Sequence, residues 1–399
     1  MSEHQKHERN SFQEALLELR LSKESAADIF SRAAVQAFDG NNWREFGYPF
    51  TQIFEPNVLH EIALLENLPF DAIARLEHCQ SSAVAWLKYR ISEAATLGVA
   101  ELLNLASALV SISRFELATV LVEQASARAT ASRDSFEVGW LEFLISNRCD
   151  DGARSPQAFA KMRTAAESGA IPRGRVLDAC CQGIVWYVKR REIPEDQFKW
   201  CVAKGNRIAK VRDGLESGTV SSWFRGLAMI PAAKGNADET RRHMTIAREA
   251  ALEKKHPSAF EMNAIKTYYE STLKEHVHLT RDLEQAEQAG EALIALDPFW
   301  APSYGELADA YIKFGKIERA ATLFERAVLL GPPYVGYHRL QAARCLVQQG
   351  DYGSALSHYT VLAELAPDYT PMHKEALEVA HRVKGKSNGT FAETFGQNR

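Results

Sequence analysis

The stretch Ala380 to Ser387, AHRVKGKS, holds a small residue, four arbitrary ones and then Gly-Lys-Ser, the relaxed form of the pattern that wraps nucleotide phosphates. That loop works by joining a strand to a helix whose N-terminal amides face the anion. Here helical sequence precedes the pattern and only polar residues follow, so the mechanism has no scaffold. His276 and His278 invite a metal, but two residues apart on a helix they point to different faces. His373 and His381 share a face with no further ligand at hand, and His60-Glu61 lacks the second His of a zinc-protease helix. No Gly-x-Ser-x-Gly elbow occurs. The six cysteines, at 79, 149, 180, 181, 201 and 345, form no CxxC pair and read mostly as reduced core residues. No catalytic constellation, metal site or cofactor is expected.

The elements around these residues are more informative. From Ala301 the chain reads APSYGELADAYIKFGKIERAATLFERAVLLGPPY, and one residue later GYHRLQAARCLVQQGDYGSALSHYTVLAELAPDY follows the same plan, a period of about 34 residues. Tyr304, Leu307, Ala308 and Tyr311 recur at helical spacing, and Ala320, Phe324 and Ala327 recur in a second segment. Phe314-Gly315-Lys316 lies between them as a turn, and Gly331-Pro332-Pro333 stops the second segment. The pattern predicts two helices packed back to back, with small residues at the contact and large ones filling the gaps. In the next copy Gly350, Ala355, Tyr359 and Pro367 hold the corresponding positions, with Ala342 where Leu is usual. These residues resemble the tetratricopeptide repeat (TPR) family, which implies an all-α, right-handed solenoid of stacked hairpins.

Weaker copies lie upstream. Leu102, Leu105, Ala106, Leu109, Phe115, Ala118, Val122 and Ala125 reproduce the pattern, with Ser113 in place of the turn Gly. Phe224, Leu227, Ala228, Gly235, Met244 and Ala247 match in part, and Leu273, Ala286 and Pro298 mark a degenerate copy. Trp140 to Ser168 and Asp178 to Val211 read as hairpins with a trace of the signature. Starts near 99, 139, 177, 221, 267, 301 and 336 define about six to seven hairpins, with insertions at Cys149 to Ser155 and His256 to Ser258. The expected organisation is a helical N-terminal region or cap at 1–95, a solenoid with a capping helix at 96–385, and a disordered tail at 386–399. Within the first region, Phe12, Ala15, Leu16, Leu19 and Leu21 form an amphipathic helix. Trp43, Tyr48 and Phe50 lie in a Gly- and Pro-punctuated segment, where they either dock this region on the array or form a functional surface.

Composition narrows the class further. The formal charge is −4 and no strand-like alternation appears, which argues against nucleic acid as a partner. The longest uncharged apolar stretch, Leu102 to Ser113, is too short to cross a bilayer, and the first residues are charged, unlike a secretory signal. A cytoplasmic location is the expectation, and there the Asn388-Gly389-Thr390 sequon is idle.

The resemblance also implies a binding face. In the TPR family the first helix of each hairpin lines a concave groove. Carried onto this chain, its ligand-facing positions are Asp309, Ile312 and Lys313 in one copy and Tyr337, Leu340, Arg344, Val347 and Gln348 in the next, with Leu103, Ser107 and Val110 upstream. The Lys and Asn with which chaperone-binding members hold a C-terminal carboxylate are absent, since those positions are Leu103/Ser107, Gly305/Asp309 and Leu340/Arg344. Trp86, Trp140, Trp186, Trp200 and Trp223 are expected in the core. The implied function is a protein- or peptide-binding scaffold or adaptor. Two other readings stay open: a ligand-responsive regulatory sensor, and an enzyme or enzyme subunit with a site built partly from the N-terminal region.

Overall fold

A computed structural model describes residues 82–111, 114–149, 152–255, 257, 259–331 and 334–386. The expected N-terminal helix, Trp43, Tyr48, Phe50, Cys79 and the tail beyond Lys386 lie outside the described residues. The described residues fall into two compact units, divided between Arg281 and Asp282. The array anticipated over 96–385 spans the boundary between them.

The described part of the first unit begins with α1 (Ser82–Ser92) and continues as four antiparallel pairs. These are α2 (Val99–Ser111) with α3 (Phe115–Arg128), α4 (Ser132–Arg148) with α5 (Ser155–Glu167), α6 (Arg173–Arg190) with α7 (Glu195–Ala209), and α8 (Ser217–Ala232) with α9 (Ala237–Ala251). α10 (Ala259–Glu275) follows and ends in a π-helical turn, His276–Thr280. First helices also lie side by side: α2 against α4, α6 against α8, and α8 against α10. This is the stacking that a hairpin needs, because one pair alone cannot bury both apolar faces. Glycines set the closest approaches. A Cβ on Gly139 of α4 would stand 2.8 Å from the Ala158 carbonyl oxygen of α5, and one on Gly205 of α7 would overlap the Trp223 ring of α8.

The hairpin starts in this unit fall at 132, 173 and 217, up to seven residues before the expected 139, 177 and 221, and α10 starts at 259, eight residues before the expected 267. The signature residues sit in the middle of these first helices, and the opening turns at 132, 173 and 217 are mainly polar or small and carry no repeat signal. The expected insertion at Cys149 to Ser155 leads into an anchored helix start. The Ser155 hydroxyl meets Ser146 Oγ at 2.9 Å and donates to the buried Glu192 carboxylate at 3.2 Å, tying α4 and α5 to the segment after α6.

The second unit comprises α11 (Leu283–Leu296), α12 (Ala301–Lys313), α13 (Ile317–Leu330), α14 (Val335–Gln349), α15 (Tyr352–Leu365) and α16 (Thr370–Lys386), each packed on the one before. Here the expected positions hold. Ala308, Ala320, Phe324, Ala327, Ala342 and Ala355 are fully buried, and Leu307, Tyr311 and Tyr359 nearly so. Gly315 and Gly350 take φ of +71° and +79°, the left-handed conformation that ends α12 and α14. Asp351 caps α15 by accepting from the Ser354 amide at 3.1 Å. The helix α16 runs on through Lys386, so Gly385-Lys386 of the nucleotide-loop look-alike lies on a helix and not in a loop.

Among the described residues, no helix is long and apolar enough to cross a membrane, and no group of three His, Cys, Asp or Glu side chains is placed to hold a metal ion.

Candidate ligand-binding face

Tyr337 lies in the first turn of α14, and its hydroxyl donates to the Asp309 carboxylate on α12 at 2.6 Å. The bond spans one repeat and ties two successive first helices together. Burial, and then the Asp309 charge and hydrogen bond, push the Tyr337 phenol well above its ordinary value, so it stays a neutral donor. Its ring meets Phe324 of α13 edge to face at a centroid distance of 6.1 Å. His338 lies beside it, 1% exposed, with its imidazole against Gly305, where a Cβ would come within 2.5 Å of Nε2. Burial lowers its pKa to about 3, so it is a neutral packing group at physiological pH.

A second tie spans α14 and α16. Arg344 donates to Glu375 through Nε at 3.1 Å and Nη2 at 2.7 Å, while Tyr359 Oη donates to Glu375 Oε2 at 2.7 Å. Burial alone would raise the Glu375 pKa, but the hydrogen bonds from Arg344 and Tyr359, with the guanidinium charge, hold it below the usual value. Two first helices and the capping helix are thereby fixed at their polar positions.

Around these ties lie the remaining expected residues. Lys313 and Gln348 are exposed, while Asp309, Ile312, Tyr337, Arg344 and Val347 are half-buried. Leu340 differs: it is fully buried among Ala343, Ala355, Tyr359 and Met372, and is a core residue. Upstream, Leu103 and Val110 are buried as well, leaving Ser107 half-buried. Tyr359, His338 and Glu375 were not anticipated as parts of the face. The available signal was a complementary pair spaced near one repeat, as Arg344 and Glu375 are.

The tryptophans divide. Trp140 and Trp223 are core residues, as expected. Trp86, Trp186 and Trp200 are half-buried, each with a cation over its ring: Arg90 at 6.0 Å, Lys189 and Arg190 at 5.6 and 5.4 Å, and Arg163 at 5.8 Å. The exposed ring faces are covered by the stems of charged neighbours instead of apolar packing.

Stacked antiparallel helix pairs, small residues at the contacts and αL glycines at the turns define an all-α helical-repeat protein of TPR-like solenoid type. No protein-family profile and no curated protein sequence matches the chain. Among solved structures, an assembly chaperone of RpL4 (Acl4, residues 1–338) is similar at 15% identity and a TM-score of 0.37, covering 73% of this chain and 98% of its own. A monomeric mutant of IFIT1 with m7Gppp-AAAA is 13% identical with a TM-score of 0.36, covering 94% of this chain and 92% of its own. The human IFIT1 dimer with m7Gppp-AAAA is 14% identical with a TM-score of 0.34 and the same coverage. These likenesses are too distant to carry a partner or an activity across.

Proposed function

We propose that the chain is a TPR-family scaffold or adaptor that binds a protein or peptide partner in the cytoplasm, using the first-helix face of the second unit. The observation that carries this reading is the pair of ties, Tyr337 to Asp309 and Arg344 to Glu375, which hold α12, α14 and α16 in fixed register. Binding to a preordered face costs less side-chain entropy than binding to a loose one. Around the ties the face offers Ile312 and Val347 as apolar contacts and Lys313 and Gln348 as exposed polar ones. That mixture suits an extended or helical segment engaged through many modest contacts.

Site-specific photo-crosslinking tests the reading. A benzoylphenylalanine at Gln348 is expected to capture a defined protein from the native extract, while the same group at Leu329, 77% exposed on α13, captures none. Equal capture at both positions, or none at Gln348, would sink the assignment of the face.

A further inference from the structure

The first unit gathers positive charge on three neighbouring first helices, with α8 between α6 and α10. Lys189 and Arg190 close α6, Arg225 stands mid-way along α8, and Lys274 lies near the end of α10. Lys189 and Arg190 flank the half-buried Trp186 ring, which is itself pinned by its Nε1 donating to Gln182 Oε1 at 3.2 Å. Arg225 reaches across to α10, where Nη1 donates to Ser271 Oγ at 3.4 Å, and Nη2 donates to Ser222 Oγ at 3.3 Å. Its Nε is buried and has no acceptor among the described residues. The guanidinium is thus aimed by two serines, with the Glu270 charge acting on it from nearby.

These cations act on one another. The side chain of Lys189 is exposed as a whole, yet desolvation of its ammonium and the positive charges of Lys274, Arg190 and Arg225 pull its pKa below the ordinary lysine value, with Glu270 as the opposing counter-charge. Burial likewise lowers that of Arg225. Cations that repel across a partly desolvated face gain most from an added anion.

We propose that the face shared by α6, α8 and α10 binds an acidic peptide segment, whose anionic side chains lodge among Lys189, Arg190 and Lys274 above the buried charge of Arg225. Arg190 supplies an exposed planar fork that matches a carboxylate or a phosphoserine, the two lysines supply point charges beside it, and Arg225 adds its charge from within the face. Chemistry on both sides of the patch favours a peptide over a nucleic acid. Asp178 lies 3.8 Å from Arg175 and Glu192 lies 3.8 Å from Arg190 at its borders, and Glu270 stands inside it, so no continuous cationic track is available for a phosphate backbone. Side-chain anions can be spaced to avoid these carboxylates, whereas backbone phosphates cannot. This site is separate from the face on the second unit, and either can fail without the other.

Fluorescence anisotropy on the full chain tests the proposal with a labelled Glu-rich peptide, its phosphoserine counterpart, its Gln counterpart and a single-stranded RNA. The Glu-rich peptide, the phosphoserine peptide or both are expected to bind, the stronger of the two identifying the source of the anion. Binding should weaken with added salt and fall about tenfold or more in the Lys189→Glu, Lys274→Glu double variant. Both substitutions are at exposed positions, and circular dichroism checks that the fold is kept. Equal binding of the Gln peptide, unchanged affinity in the double variant, preference for RNA, or no binding of either acidic peptide would each overturn the proposal.

Discussion

Glu375 shows how one carboxylate can be made to depend on its neighbours. Burial raises its pKa, and the donors Arg344 and Tyr359 more than reverse this, leaving the folded value below the unfolded one of about 4.3. A depressed carboxylate contributes stability that is present above the unfolded pKa and is lost as pH falls through the folded one. Arg344→Ala removes the charged donor and leaves a half-buried carboxylate in its desolvated site. The variant is expected to lose about 1 to 3 kcal/mol at neutral pH. The deficit should shrink as pH falls below about 4, because protonated Glu375 no longer requires the guanidinium. Urea unfolding at neutral and acid pH measures both values, and a deficit that stays constant with pH would show that Arg344 acts through packing alone. Part of this node was legible in the sequence, since Arg344 stands at a first-helix position of a clean repeat. Its partners were harder to read because α16 carries no repeat signature, which left the near-one-repeat spacing of a complementary pair as the one pointer to Glu375. Leu340 failed as a surface residue for a related reason. The position that faces a ligand in one repeat can face the next hairpin when the neighbour is a capping helix, and Leu340 shares its core cluster with Met372 of α16.

Glycines decide how closely the helices of the first unit approach. The clean repeats of the second unit use Ala at their contacts, and that pattern reveals them in the sequence. Farther upstream, Gly139, Gly183 and Gly205 do similar work at different positions, which is why those hairpins left only a trace and their starts were misplaced. Gly183 brings α6 against Cys201 of α7 and Phe159 of α5, and Gly205 brings α7 against Trp223 of α8. The Trp223 ring is fully buried, and a close-packed interior resists its displacement. Gly205→Ala is expected to cost about 1 to 3 kcal/mol through overpacking, despite the better helix propensity of Ala. Gly174, in the first turn of α6, has nothing near the place of its missing Cβ. Gly174→Ala should therefore stay within about 0.5 kcal/mol of wild type. Thermal unfolding of the two variants side by side is the measurement, and a harmless Gly205→Ala would mean that the α7 to α8 contact is slack.

At the scale of the molecule, the sequence reads as one continuous array, whereas the described residues fall into two compact units with the boundary in the chain between Arg281 and Asp282. The local chemistry explains why the boundary is hard to read. α10 ends in a π-helical turn with His276 buried, Arg281 takes φ of +55°, and Asp282 then caps α11 by accepting from the Gln285 amide at 3.1 Å. A left-handed residue and a capping Asp also occur at ordinary repeat boundaries, and no change in composition marks the division. The consequence concerns how stability is distributed. In a stacked array each hairpin draws its stability from its neighbours, so damage spreads along the stack as far as the packing is continuous. Leu340 is fully buried in a core formed by α14, α15 and α16, and Leu340→Ala should destabilise that core by about 2 to 5 kcal/mol. If the two units are separate cooperative blocks, amides in α12 to α16 lose exchange protection in this variant while those in α2 to α9 keep theirs. Hydrogen exchange followed by mass spectrometry separates the two sets of peptides directly. Loss of protection in both sets to the same degree would show instead that the array unfolds as one block, and that the division at Arg281 has no energetic counterpart.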